Sequence, residues 1–293
     1  MMVLESAYIL FRGVHFTSVM LLTGASCFSV WLAPLAYRHV LVARLRLLVA
    51  LCCLMAFISA MGILCVQVGL MSGDWHRIAD TETWCAMLST GFGRIWRWQP
   101  VLALMSGYGA GVFRRSYPRW VLFCGMLQLL AMSWVGHAAM QEGWPAWFHG
   151  INQMFHLWAV AFWVGGLSAL TTVLRDVNQC KNRTLAIATM MRFSRYGHVS
   201  VAMVLVTGAI NTVLILGWPV AAVAFYGALL TVKVLLVAVM VLLALVNRYW
   251  VVPRFRKTHT RAARYFLYIT YSELLLAVLV ILFVSVFATL SPI

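Results

Sequence analysis

Apolar residues in this chain run in blocks too long for a soluble core. Eight segments have the roughly 20-residue length that crosses a hydrocarbon layer. They cover about 8–33, 47–72, 92–113, 118–140, 149–174, 191–216, 225–250 and 266–290. The blocks lack the alternation of half-buried strands, so the pattern predicts an all-α polytopic membrane protein. The connections are short, and the whole of 1–293 reads as one transmembrane domain. The longest connection, 73–91, carries a weak signal for a surface helix around Thr81–Ser89.

Composition sharpens this picture. The chain is 63% hydrophobic and only 10% charged, against about 25% charged residues in a soluble domain. A net charge of +15 would suggest nucleic acid if it lay on one surface, but its placement excludes that partner. Of the 22 Lys and Arg residues, 17 fall in the connections after segments one, three, five and seven. The opposite side has Arg77, Arg94 and Arg97, while Arg12 and Lys233 lie within spans. The positive-inside rule then places both termini in the periplasm. Trp75, Trp84, Trp144 and Trp147 fall on that same outer side, as an interfacial aromatic belt would. The N-terminus has no basic region and no small-residue cleavage site, so no removable signal peptide is expected. The cysteines form no Cys-x-x-Cys pair, lie mostly in apolar runs, and predict no disulfide framework.

A faint internal repeat is present. His15 precedes Gly24 by nine residues, as His156 precedes Gly165. Phe92-Gly93 precedes Gln99 as Tyr226-Gly227 precedes Lys233. The offsets, 141 and 134 residues, are similar. They suggest two parallel four-helix halves, roughly 1–141 and 142–293.

The chemistry-bearing residues cluster toward the outer side. His149 and His156 share a helix face two turns apart, with Gln153 between them. The rise between them is about 10 Å, too long for one ion, so they read as two stations. Gly165-Gly166 then permits close approach of another helix. His15 lies at comparable depth in the first segment. His137 ends the fourth, with Met140 on its face; imidazole plus thioether suits copper, with thioether favouring Cu(I). Each of these histidines also has a bland reading, as a polar anchor bonded to nearby backbone. His198 reads as structural, and His39, His76 and His259 as loop residues. Lys233 and Glu273 lie near mid-bilayer on neighbouring antiparallel helices, where they would form a buried ion pair or relay protons. Asn211 is placed to bond across helices. Phosphate-loop, phosphorylation-site and haem-attachment signatures are absent, and no enzymatic activity is expected.

Several stretches resemble the CopD (PcoD) family of bacterial copper-resistance membrane proteins. They are His15-Phe-Thr-Ser, Gly136-His137-Ala138, His156-Leu with Trp163-Val-Gly165-Gly166-Leu167, Met191-Arg192-Phe193-Ser194, Thr207-Gly208 with Asn211, Tyr226-Gly227 with Lys233, and Asn247-Arg248-Tyr249 with Pro253-Arg254. They occur in order over nearly the whole chain. The resemblance implies eight helices in the inner membrane, a role in copper homeostasis, movement of copper toward the cytoplasm, and a periplasmic CopC-type copper-binding partner. It implicates His15, His137 and His156; His149 and Met140 are added from spacing. It departs at Gln153, where some family members carry histidine. Two alternatives remain at this level. One is a redox protein with b-type haem between His15 and His156; the other is a non-transporting receptor for a periplasmic copper carrier.

Overall fold

The computed structural model describes residues 2–112, 117–136, 143–177, 182–218, 224–256 and 259–287. His137 and Met140 lie outside the described residues. All regular structure among those described is helical. The helices are α1 (Met2–Cys27), α2 (Leu35–Ser72), α3 (Thr81–Ser89), α4 (Gly91–Trp96), α5 (Trp98–Val112), α6 (Tyr117–Ser133), α7 (Trp144–Val160), α8 (Gly166–Val177), α9 (Arg183–Leu216), α10 (Ala224–Val246) and α11 (His259–Phe287). Wider π-turns extend α1 over Phe28–Leu32, join α7 to α8 over Ala161–Gly165, and extend α10 over Asn247–Val251.

Six of these helical stretches, as described, are long and apolar enough to cross a membrane. The expected third and fourth spans correspond to α5 and α6, which are shorter at 15 and 17 residues. The segment expected to start at 92 is divided: α4 ends at Trp96, and α5 begins at Trp98. At the other extreme α2 begins at Leu35, behind Pro34, rather than near 47. Proline fits just before the first turn because that position's N–H has no helical partner. His39 therefore sits in the first turns of α2 and not in a loop. The surface helix expected in the 73–91 connection is α3. Asp80 caps it, accepting from the Glu82 N–H at 3.2 Å and the Thr83 hydroxyl at 2.6 Å. These hydrogen bonds, the one from Thr83 first, hold the Asp80 carboxyl below its ordinary range.

α1 is the hub. It packs on α2, α6, α8, α11 and the π-turn between α7 and α8. In its most apolar window 78% of residues are buried by protein, against 6% in the span containing α10. Leu235, Val239 and Leu242 of α10 accordingly face outward, toward lipid. The tightest crossing joins α1 to the π-turn. A Cβ placed on Gly24 would lie 2.0 Å from the Ala161 carbonyl oxygen and 2.6 Å from Gly165 Cα. A Cβ on Gly165 would lie 2.5 Å from the Met20 carbonyl oxygen. Backbone meets backbone here, and only glycine permits it.

At the end opposite the start of α1, which carries most of the basic residues, a polar lock ties α2 to α8. Asp176 is fully buried. It accepts from the Tyr37 hydroxyl at 2.5 Å and pairs with Arg44 at 2.5 Å. A buried carboxylate this deep needs both partners to offset its desolvation.

Candidate metal and ligand cavities

Two cavities lie along the bundle. The first, of about 500 Å³, opens between α1, α7, α9, α10 and α11 at the end where α1 begins. The second, of about 850 Å³, lies toward the basic end between α8, α9, α10 and α11. Trp163 and Leu205 line both and so form the wall between them. Trp163 sits in the π-turn that Gly24 holds against α1. A π-turn displaces one residue from helical register, and such turns frequently mark functional sites.

His156, His149 and Gln153 of α7 all line the first cavity, together with Met20, Met240, Asn211 and Lys233. The orientation of His156 follows from its partner. Its Nδ1 lies 2.8 Å from Thr207 Oγ1. The Thr207 hydroxyl donates to the Met203 carbonyl at 2.5 Å, so toward the imidazole it can only accept. Nδ1 therefore carries the ring proton, and Nε2 keeps its lone pair. Metal-ligating histidines are fixed in this way, with one nitrogen donating and the other free to bind. The ring lies against Gly208, whose Cβ position is 3.5 Å from His156 Cε1. His149 is buried on the same wall. Asn211 bonds across helices as expected: Asn152 Nδ2 donates to Asn211 Oδ1 at 2.8 Å, and Asn211 Nδ2 donates to Gln153 Oε1 at 2.7 Å.

His15 is placed differently. It is fully buried and lines neither cavity. Its Nδ1 lies 3.1 Å from both the Ala56 carbonyl and Ser59 Oγ, and its Nε2 lies 3.3 Å from Gln99 Oε1. Gln99 Nε2 donates to the Gln128 carbonyl at 3.0 Å, which fixes the amide orientation. Both ring nitrogens thus face oxygen acceptors inside a closed polar cluster of α1, α2, α5 and α6. A metal could reach the ring only by displacing one of these bonds. The haem alternative required His15 and His156 to face one another across a ligand; their ring partners instead come from different helices, α2 and α5 for one and α9 for the other.

The pairing expected of Lys233 and Glu273 is not found. Lys233 lines the first cavity and Glu273 the second. The ion pairs among the described residues are Arg44–Asp176 and Arg77–Asp80. Glu273 Oε1 is buried with no hydrogen-bond partner. Depth along two helices says nothing about which faces meet.

His198, which the sequence suggested was merely structural, lines the second cavity with Met190, Met191 and Ser194. Its Nδ1 donates to the Ser194 carbonyl at 2.7 Å, and its Nε2 lies 3.4 Å from the Tyr249 hydroxyl. A carbonyl can only accept, so Nδ1 carries the ring proton and the Nε2 lone pair faces the Tyr249 hydroxyl. Met20, Met240 and Met190 are further lining residues that sequence reading passed over. Their signal was only the raised methionine content, which an apolar core also produces.

The described residues thus form an α-helical bundle with six stretches able to cross a membrane, and with histidine and methionine among the residues lining both cavities. Residues 2–147 match the family description "Copper resistance protein D-like, N-terminal domain", and residues 187–287 match "Copper resistance protein D". The Inner membrane protein YebZ of Escherichia coli (strain K12) is 38% identical over 289 residues, covering 99% of each chain. Copper resistance protein D of Pseudomonas syringae pv. tomato is 35% identical over 181 residues, covering 59% of this chain and 58% of its own. The Copper transport protein CutJ of Bacillus subtilis (strain 168) is 36% identical over 92 residues, covering 31% of this chain and 16% of its own. The chain belongs to the copper resistance protein D family. No solved structure matches it significantly.

Proposed function

We propose that this protein carries copper across the inner membrane toward the cytoplasm, receiving it in the cavity at the α1 end. The observation that carries the reading is His156, turned by Thr207 so that Nε2 is free in a cavity also lined by His149, Met20 and Met240. Imidazole and thioether together favour Cu(I). Copper then passes the Trp163–Leu205 wall to the second cavity, where His198, Met190 and Met191 repeat the same donor types. His137, from the family resemblance, and Met140, from its spacing, are further candidate ligands. The donor is a periplasmic CopC-type protein, the partner that the family resemblance implies. Transport is tested in proteoliposomes loaded with a Cu(I)-selective chelating dye. The wild-type protein should colour the lumen, and narrowing the passage by Leu205→Trp should slow it at least 10-fold. Copper that binds the protein but never reaches the dye would leave a receptor and sink the carrier.

The direction rests on orientation. The basic end takes 17 of the 22 Lys and Arg residues and belongs in the cytoplasm. The first cavity then faces the periplasm, and both termini lie on that side. Alkaline phosphatase fused to the C-terminus, which is active only outside the cytoplasm, should be active. Activity from a C-terminal fluorescent protein that matures only in the cytoplasm would reverse the assignment.

A further inference from the structure

The cavity that offers copper its soft donors is also lined by two cationic side chains and no carboxylate. Arg12 and Lys233 both line it, from α1 and α10, and none of its lining residues is Asp or Glu. Arg12 cannot give up its proton. Its Nε is buried without a hydrogen-bond partner, Nη1 reaches the Tyr8 hydroxyl at 3.4 Å, and the guanidinium lies 4.8 Å from the centre of the Phe16 ring. These contacts orient the charge but do not neutralise it. Neither Arg12 nor Lys233 takes part in an ion pair among the described residues. Glu5, on the same helix, is exposed, and Glu273 lines the other cavity. A cation at membrane depth costs roughly 3 kcal/mol on insertion scales, and two in one cavity also repel each other.

We propose that this cavity is an anion site, in which a compact, singly charged anion sits between Arg12 and Lys233. Gln153 contributes a third, neutral donor: its Oε1 accepts from Asn211, which leaves its amide NH2 on the cavity wall. The ligand class is a halide or a small carboxylate, since both bring one concentrated negative charge. A cavity of about 500 Å³ holds such an ion with several waters, each taking about 30 Å³. The anion site does not depend on the copper reading, but it bears on it. A copper cation entering beside two uncompensated cations is repelled; with the anion in place the net charge falls from +2 to +1 and the repulsion weakens. Each ligand should then tighten the other's binding by the same factor.

The test uses the copper-free, purified full chain in detergent at constant ionic strength, with a bulky organic sulfonate as the background anion. Replacing that anion by chloride in one series and acetate in another should raise the unfolding midpoint saturably in at least one. A shift of about 5 °C is expected near saturation. Arg12→Gln and Lys233→Met should each abolish the saturable shift, and Arg12→Lys should retain it. The series that saturates identifies the halide or the carboxylate as ligand. A wild-type protein with no saturable shift, or a shift that survives in Arg12→Gln or Lys233→Met, would overturn the proposal. Copper retention is measured on the same preparations. Anion binding without copper binding would then sink the copper reading alone, and the converse would sink the anion site alone.

Discussion

Gly24→Val and Gly165→Val should each leave almost no folded protein in the membrane. At this crossing the α1 backbone touches the backbone of the π-turn. Even the Cβ of alanine at Gly24 would stand 2.0 Å from the Ala161 carbonyl oxygen and 2.9 Å from the Gly165 carbonyl carbon. Overpacking a core by a few methylenes costs typically 1–3 kcal/mol because flexible side chains can yield. Here the obstacle is main chain, so the helices must separate. That would also disturb Trp163 and the wall between the cavities. The expected cost exceeds about 4 kcal/mol, a large share of a total stability of about 5–15 kcal/mol. Gly111→Ala is the matched control: nothing lies within 4 Å of its Cβ position in α5. Alanine there should be neutral or gain up to about 1 kcal/mol of helix propensity. The check is the yield of monodisperse protein from detergent extracts and its resistance to unfolding. Wild-type yield from Gly24→Val would mean that α1 and the π-turn do not meet this closely.

This crossing was half legible in the sequence. Gly165-Gly166 announced a close approach, and the spacing to His156 matched that of His15 to Gly24. What the sequence could not say is that the two matching glycines are each other's partners. The π-turn was also invisible, because a one-residue change of helical register leaves no mark in an unbroken apolar run. That most of the chain forms long apolar helices was legible because a spanning helix needs about 20 apolar residues, although the start of α2 and the break before α5 were not. The faces were not: a span such as α10 is apolar all round, so no stripe tells lipid from protein. The Lys233–Glu273 pairing failed for that reason.

The repeat that we propose from the sequence also accounts for the different fates of His15 and His156. The two occupy matching positions, nine residues before Gly24 and Gly165. The matching partners differ: Gln99 stands in the first half where Lys233 stands in the second. Gln99 is neutral and can bond in two directions, and it closes the space beside His15 by joining its ring to the Gln128 carbonyl. Lysine has donors only, so it cannot accept from a ring N–H in this way, and a cavity remains beside His156. On the proposed repeat, a packed polar cluster in one half matches a cavity in the other. Sequence reading gave both histidines the same role because they were weighed by depth and not by the side chain opposite.

It follows that single histidine variants should separate into two kinds. His156→Ala should lower copper affinity by at least about 10-fold, the loss expected when a ligand or its orienting group is removed, while the protein still folds. Thr207→Val keeps the imidazole but removes the acceptor that holds its proton on Nδ1, and should lose about 10- to 100-fold. His15→Ala should do the reverse. It removes the one ring N–H shared between the Ala56 carbonyl and Gln99 Oε1, and leaving a buried acceptor without its donor costs about 1–3 kcal/mol, so folded yield should fall. The fraction that does fold should hold copper with an affinity within a few-fold of wild type. The measurement is competition for Cu(I) against a chelator of known affinity, made on the folded fraction of each variant. The decisive comparison is His15→Ala with His156→Ala. If the folded His15 variant loses copper as completely as the His156 variant, the metal does not bind in the cavity at the α1 end, and the closed cluster of His15, Ser59 and Gln99 must open to admit it.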